Sequence, residues 1–235
     1  MGHLFEGHNE AEVPASVEEV WAAIATGPGI DSWYMGRNEV ADGHVRMAFG
    51  DYQPTSTITE WDPPHHFAHD SGKAPDGRFI AYEFLVEGRE HASTVLRLVT
   101  SGFLPGDDWA DEFEAMTYGG QLFFATLVTY LHHFAGRTAT PLTVFGPMIQ
   151  NWDEAWKKIH NAIGGSEEGD RVEIAGTEGV VYFSNPHTLG IRTEHALYRF
   201  LRGFFGPMIA AHHIFEGTET EETWQNWLTE TLEAK

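Results

Sequence analysis

The chain opens with an apolar pattern whose period changes from that of a helix to that of a strand. A first helix is predicted from apolar residues that recur at spacings of three and four, namely Val17, Val20, Trp21 and Ile24. Ser16 followed by Glu19 is the signature of a capping box, in which each side chain satisfies the other residue's free amide. The helix is predicted to end near Gly27-Pro28-Gly29, and a short second helical turn is expected from Ile30 to Tyr34.

After Tyr34 the apolar residues alternate with polar ones, as they do in antiparallel strands that bury one face. The alternation predicts strands over residues 45–49, 55–61, 65–70, 80–86 and 96–98. Asp62-Pro63-Pro64 predicts the turn between the second and the third of these strands. The pattern is not that of a parallel sheet, whose strands have continuous apolar runs.

The longest predicted helix runs from Trp109 to Ala135, with Asp107 or Asp108 as its N-cap and Gly136 just past its end. Residues 115–136 carry no charge, but their many threonines, tyrosines, histidines and glycines predict a buried amphipathic helix rather than a membrane span. The first 136 residues are thus predicted to form a strand, two helices, a run of strands and a long helix.

Two domains are predicted, at residues 1–137 and 152–235. Residues 138–151 are interpreted as the linker, because they are uncharged, contain two prolines and show no clean period. The second domain is predicted to have a helix to Ile163, short strands that include a pair within 195–215, and a final helix from about residue 218. A similar run of residues opens both domains, which favours a degenerate internal repeat.

Composition and charge exclude several classes of function. Against 14 Lys and Arg stand 35 Asp and Glu, and the net charge of -21 disfavours nucleic acids and anionic membrane surfaces as partners. The chain has no cysteine, which excludes thiol catalysis and disulfides and fits a reducing cytoplasm. No secretory signal is predicted at the N-terminus, so a cytoplasmic location is expected.

The opening segment resembles a known family. The residues that carry the resemblance are Val13, Pro14, Ala15, Ser16, Glu18, Val20, Trp21, Ala23 and Ile24, followed by Gly27, Pro28, Gly29, Ile30, Trp33 and Tyr34. They resemble the START-like (Bet v 1-like, SRPBCC) superfamily, in the branch related to the C-terminal domain of the Hsp90 ATPase activator. The resemblance covers residues 1–137 and implies a helix-grip fold, in which a curved antiparallel sheet surrounds a long C-terminal helix with a cavity between them. The second domain would be a shortened copy.

Aromatic residues are the strongest chemical feature, because residues 1–140 hold 4 Trp, 5 Tyr and 10 Phe. They predict either the wall of an apolar pocket or an ordinary packed core. The candidate ligand-binding residues are Trp33, Met47, Phe49, Trp61, Phe67, Tyr82, Phe84, Phe103, Trp109, Phe113, Met116 and Phe123. The stretch from Ser101 to Trp109 is interpreted as a loop, either pinned by its own aromatic residues or serving as a lid.

Other site chemistry receives less support from the sequence. The 14 histidines include neighbouring pairs and His65 with His69, but no His-Glu-x-x-His motif, so we expect no metal site. No nucleophile elbow, Walker A loop or dinucleotide fingerprint occurs, so neither ATP hydrolysis nor a cofactor is expected. Acid–base chemistry stays open through Tyr82, His69 or Glu83.

The leading hypothesis is the binding of a small hydrophobic or aromatic ligand without catalysis. One alternative is a cavity enzyme of the aromatase, cyclase or dehydratase type, and another is a chaperone-regulating interaction module. Superfamily members have all three kinds of function, so the fold alone does not select among them. A homodimer or a protein partner is also open. A polar dyad directed into the cavity would favour the enzyme over the simple binder.

Overall fold

Two antiparallel sheets, each accompanied by helices, make up the chain. The computed structural model describes residues 2–89, 93–106, 109–204 and 206–233. The chain divides into a first unit, residues 1–116 with 127–138, and a second unit, residues 117–126 with 139–235. The predicted α+β class is confirmed, including the long helix after the first sheet and a second α+β part with fewer strands. The N-cap candidates Asp107 and Asp108 lie outside the described residues.

The first unit contains a 7-stranded sheet with strand order β1-β7-β6-β5-β4-β3-β2. Its strands are β1 (His3–Val13), β2 (Arg37–Ala41), β3 (His44–Ala48), β4 (Thr55–Asp62), β5 (His66–Asp70), β6 (Phe79–Gly88) and β7 (Thr94–Leu104). Its helices are α1 (Val17–Ala25), α2 (Gly27–Ile30) and the two ends of the long helix α3 (Trp109–His133). Every strand pair is antiparallel.

The start of α1 is the capping box that the sequence predicts. The Ser16 side chain accepts a hydrogen bond from the Glu19 amide at 3.2 Å, and the Glu19 carboxylate accepts one from the Ser16 amide at 2.8 Å. Val20 and Ile24 are buried on the side of the helix that packs on β6 and β7. The helix ends at Ala25, and Gly27 already begins α2, so the Gly-Pro-Gly segment starts a helical turn where we expected only an end.

The second unit contains a 6-stranded sheet with strand order β8-β13-β12-β11-β10-β9. Its strands are β8 (Thr140–Met148), β9 (Arg171–Ile174), β10 (Thr177–Asn185), β11 (Thr188–Arg192), β12 (Ala196–Arg202) and β13 (Pro207–Ile214), and its helices are α4 (Trp152–Ile163) and α5 (Glu221–Glu233). The two helices and one face of the sheet enclose a core around Ile159, Phe200 and Trp224. Residues 117–126 of α3 belong to this unit as well.

The predicted linker is wrong over most of its length, because Thr140–Met148 form strand β8. Leu142 and Val144 are buried at alternate positions, and the strand pairs with β13. Pro141 and Pro147 conceal the strand in the sequence, since a proline has no amide to donate. They are tolerated because β8 lies at the edge of its sheet.

The buried side of α3 does not include its two adjacent phenylalanines. Phe123 and Phe124 are only half-buried, whereas the fully buried residues are Leu122, Thr126, Leu127, Tyr130, Leu131 and Phe134. The helix is divided between the two units, so its middle and its ends pack against different partners. A single apolar stripe in the sequence does not anticipate such a division.

Candidate functional site

The register of β1, β7 and β6 assigns each residue of the first sheet to one of two faces. A side chain placed at Gly102 would meet the ring of Phe5 at 2.6 Å, and Phe5 contacts Phe113 of α3 with ring centroids 5.5 Å apart. The face that carries Phe5 and Gly102 therefore faces the helix, and we call it the inner face. On β6 and β7 the same face carries Ile80, Tyr82, Phe84, Val86, Leu96, Leu98 and Thr100.

One end of the inner face is a packed cluster of aromatic rings. Phe67 on β5 is fully buried at its centre, and its ring stacks on Phe84 at 6.1 Å between centroids. Trp61 and Trp21 approach Phe67 edge-on, at 5.5 and 6.1 Å. Trp33 contacts Phe84 at 6.4 Å and donates its indole N–H to the Ala23 carbonyl at 2.9 Å. This end is tightly closed.

The opposite end of the inner face is covered by the first turns of α3. His3 on β1 stacks on Trp109 with ring centroids 3.9 Å apart and planes 9° from parallel. Phe113, one turn further along the helix, contacts both His3 and Phe5 at 5.5 Å. Gly102 and Leu104 are buried beneath this end.

Between these two ends lies a stretch of half-buried residues that includes three polar rings. His69 pairs with Tyr82 across β5 and β6, and their ring centroids are 5.2 Å apart. The Tyr82 hydroxyl is 3.3 Å from that of Tyr34, which follows α2. Ile80 and Thr100 on the same face are also half-buried. We call this stretch, with His69, Tyr82 and Tyr34 at its centre, the polar gap.

Burial controls the protonation of the polar gap. Desolvation lowers the pKa of His69 to about 4, although the nearby Asp70 carboxylate opposes the shift. Burial also raises the pKa of Tyr82, while its hydrogen bond to Tyr34 acts in the opposite direction. Both side chains are therefore neutral near pH 7, and the gap carries hydrogen-bonding groups without a charge.

The structure brings only some of the candidate residues together. Those on or against the inner face of the first unit are Trp33, Trp61, Phe67, Tyr82, Phe84, Trp109 and Phe113. Trp61 is 46% exposed at the rim of the ring cluster. Met47 is half-buried on the same face as buried Val45, and Phe49 forms an isolated bridge with Tyr52 next to β3. Met116 is half-buried on α3.

Two candidates lie elsewhere. Phe103 alternates with buried Gly102 and Leu104, so it is on the opposite face. A side chain placed at Gly77 would meet the Phe103 ring there at 3.4 Å. Phe123 belongs to the second unit, where the guanidinium of Arg199 lies 5.3 Å from its ring centroid. The predicted loop after Ser101 is strand β7 as far as Leu104.

Sequence reasoning did not select Tyr34 and Trp21 for the site, and it considered His69 only as an acid–base candidate and, with His65, as a metal ligand. Trp21 and Tyr34 come close to the inner face because α1 and α2 fold back over it. The usable signal was the alternation on β5, since His69 is two residues after buried Phe67 and therefore shares its face.

Glu83, the third acid–base candidate, is on the outer face. It accepts a hydrogen bond from His66, 2.8 Å away, beside an open groove of about 310 Å³. The groove is lined mainly by outer-face residues, and its lining also includes His69 and Tyr82, whose side chains alternate with those of the outer face; the outer-face residues are Thr59, Glu60, His66, Ala68, Ala81, Glu83, Val99 and Ser101. Glu83 therefore does not act together with His69 and Tyr82, which face the other side of the sheet.

Within the described residues, the side chains form no metal-binding group and the helices include no candidate membrane span. Over residues 2–89, 93–106, 109–204 and 206–233, no group of three or more His, Asp and Glu has a metal-binding arrangement. No helix within those same ranges has both the length and the apolar character needed to cross a bilayer.

Comparisons with known proteins give similarities of structure only. No protein-family model and no curated protein matches the chain. The di-domain ARO/CYC BexL from the BE-7585A biosynthetic pathway is 14% identical and has a TM-score of 0.47, over 97% of this chain and 94% of that chain. DynU16, a putative protein in the dynemicin biosynthetic locus, is 16% identical with a TM-score of 0.46, over 97% and 95%. The Aha1 dimer from Colwellia psychrerythraea is 18% identical with a TM-score of 0.45, over 55% and 96%. Identities and TM-scores this low do not bear on function.

The neutral state of His69 predicts a pH dependence of stability. In the unfolded chain a histidine binds a proton below about pH 6.5, whereas His69 in the folded unit stays neutral down to about 4. Folding therefore excludes a proton, and its stability falls as the pH drops from about 6.5 to 4, by up to about 3 kcal/mol. Above this window His69 has no such effect.

Urea unfolding of the wild type and of His69→Phe at about pH 7 and about pH 4.5 measures the contribution of His69 to this loss of stability. The contributions of the other titrating groups cancel in the comparison. The variant is expected to lose less stability on acidification. An equal loss in both proteins would show that His69 is not held neutral by the fold.

Proposed function

We propose that the first unit binds a small hydrophobic or aromatic ligand at the polar gap, between the inner face of the sheet and the helices, without transforming it. The observation that carries the proposal is the contrast along this face. Phe67, Phe84 and Trp33 are closely packed at one end, and Phe113 closes the other, but the residues between them keep accessible surface. Small-molecule sites are typically concave, mostly apolar and supplied with a few polar groups.

A neutral dye that fluoresces in apolar surroundings, N-phenylnaphthylamine, tests the proposal on the full chain. We expect saturable binding at about one site per chain, driven by burial of the aromatic rings. Tyr82→Trp fills the gap with a larger ring and is expected to weaken binding by about tenfold or more.

Phe103→Trp is the matched control, because it adds a similar ring on the opposite face of the same sheet. It should leave the dye affinity unchanged. Binding that does not saturate, or that is equal in both variants, would place the ligand elsewhere.

A cavity enzyme is the second candidate function. The observation in its favour is that His69 and Tyr82 are side by side on the inner face, with Tyr34 bonded to Tyr82. A neutral imidazole beside a phenol can transfer protons in a cyclisation or dehydration. Mass analysis of small molecules that copurify with the chain distinguishes the two functions. A binder returns its ligand unchanged after incubation, whereas an enzyme converts it.

A further inference from the structure

We propose that the outer face of the first sheet binds a basic segment of a partner protein, and that lysine or arginine side chains of this segment lie in the open groove beside Glu83. We call this groove of about 310 Å³ the outer groove. Its lining is mainly on the face opposite to the polar gap, so the proposal does not depend on the proposed function.

The outer groove owes its shape to small side chains between larger ones. Ala68 on β5 and Ala81 on β6 supply small apolar surfaces, with Val99 on β7 beside them. The cross-strand partner of Ala68 is Glu60 on one side and Glu83 on the other. The two glutamates are therefore two strands apart, roughly 10 Å along the sheet, with an alanine between them.

Both carboxylates can accept a cation. Glu83 accepts a hydrogen bond from His66 through one of its two oxygens, and its side chain is 44% exposed. Glu60 is exposed and, within the part of the chain that the structure describes, has no hydrogen-bond or ion-pair partner. A cationic group placed over Ala68 would meet a carboxylate on either side.

The charge around the groove selects the partner. The outer face of the same strands also carries Asp62, Asp70 and Glu87, and the guanidinium of Arg97 on β7 already lies 3.6 Å from Glu87. A surface of one sign attracts a partner of the opposite sign and repels one of its own. A second copy of this chain, with its net charge of -21, is therefore the wrong occupant.

Lysine and arginine side chains match both the floor and the rim of the outer groove. Each combines an aliphatic stem with a cationic head. The stem would cover Ala68 and Ala81, and the head would lie between Glu60 and Glu83. A free small molecule is a poorer occupant, because small-molecule sites enclose most of their ligand and this groove is open. A protein segment gains further contacts along the acidic strands.

Fluorescence anisotropy of a labelled peptide of alternating lysine and serine, titrated with the full chain at low salt, tests the proposal. Saturable binding is expected, and added salt should weaken it because exposed ion pairs are screened. A peptide of alternating glutamate and serine should not bind. Absence of saturable binding of the lysine peptide would overturn the proposal. Free spermidine that binds as tightly as the peptide would also overturn it, since the groove would then take a small polyamine.

Two double variants separate the groove from the overall negative charge. Glu60→Gln with Glu83→Gln removes the carboxylates beside Ala68, and should weaken binding of the lysine peptide about tenfold, because two exposed ion pairs are lost. Glu173→Gln with Glu178→Gln is the matched control, since these exposed residues are also cross-strand partners, on β9 and β10 of the second unit. It should leave the affinity nearly unchanged. Equal weakening by both double variants would show that the peptide responds only to net charge, and the proposal would be wrong.

A change of shape without a change of charge tests the groove itself. Ala68→Leu fills its floor and is expected to weaken peptide binding severalfold. Ala41→Leu makes the same change on the outer face of edge strand β2, outside the groove lining, and should have no effect. If circular dichroism shows that Ala68→Leu is not folded, Ala81→Leu takes its place. An unchanged affinity in the folded groove variant would contradict the placement of the basic side chain in the groove.

Discussion

A fragment that begins at residue 139 is expected to aggregate, or to unfold at a clearly lower urea concentration than a fragment that begins at residue 117. The longer fragment adds residues 117–126 of α3. These residues belong to the second unit, although residues 127–138 of the first unit separate them from the rest of it in the sequence. The shorter fragment exposes the sheet face that this segment contacts. Residues 139–235 cannot bury that face by themselves, because α4 and α5 pack on the opposite face of the sheet.

The contacts of residues 117–126 show what the shorter fragment loses. Thr126 and Tyr182 share a hydrogen bond of 2.8 Å, and the Asn185 side-chain amide donates to the Tyr118 carbonyl at 3.1 Å. The fully buried guanidinium of Arg199 lies over the Phe123 ring. Loss of the segment leaves these polar groups without their partners and uncovers the apolar surface around them.

Urea unfolding followed by circular dichroism measures both fragments and the whole chain. The longer fragment is expected to unfold in one cooperative transition. Equal midpoints for the two fragments would show that residues 117–126 do not contribute to the stability of the second unit.

Replacement of Trp224 by alanine is expected to cost the second unit about 3–5 kcal/mol of its free energy of unfolding, out of a typical total of about 5–15. Trp224 is 1% exposed, and its ring lies against His212, Tyr198 and Phe200. Its indole N–H donates to the Glu219 carboxylate at 2.6 Å, and that carboxylate also accepts from the Tyr198 hydroxyl. The substitution removes both the packing and one of these hydrogen bonds.

Trp227→Ala is the control, because Trp227 is on the same helix and is only partly buried. It still stacks on Phe200 at 5.2 Å, so a smaller loss is expected. Thermal and urea unfolding compare the two variants. A loss for Trp224→Ala no larger than that for Trp227→Ala would contradict the assignment of Trp224 to the centre of this core.

The local elements of the fold could be predicted because their signals are local. The Ser16–Glu19 capping box, the alternation along β6 and the helix that begins at Trp152 each depend on residues a few positions apart. The α+β class and the inner-face candidates Phe67 and Phe84 followed from these patterns. Strand β8 was not predicted, because Pro141 and Pro147 are tolerated in a strand only at the edge of a sheet. Which strand lies at the edge depends on strands that are far away in the chain.

The candidate site depends on pairings that no local pattern contains. Alternation puts His69 on the face of Phe67, but its position beside Tyr82 depends on the register between β5 and β6. A shift of one residue would bring Glu83, with its charge, opposite His69. The meeting of Tyr34 with Tyr82 further requires α2 to fold back over the sheet.

The sequence by itself determined the order of most elements, the buried periodicity of the strands and the aromatic character of the first unit, because these depend on spacing and residue type. Only the tertiary structure decided which polar groups meet at the inner face, which candidates point away from it, and how α3 is shared between the two units. Those outcomes depend on strand register and on packing between distant segments, where the free energy of burial is shared by residues that the chain keeps far apart.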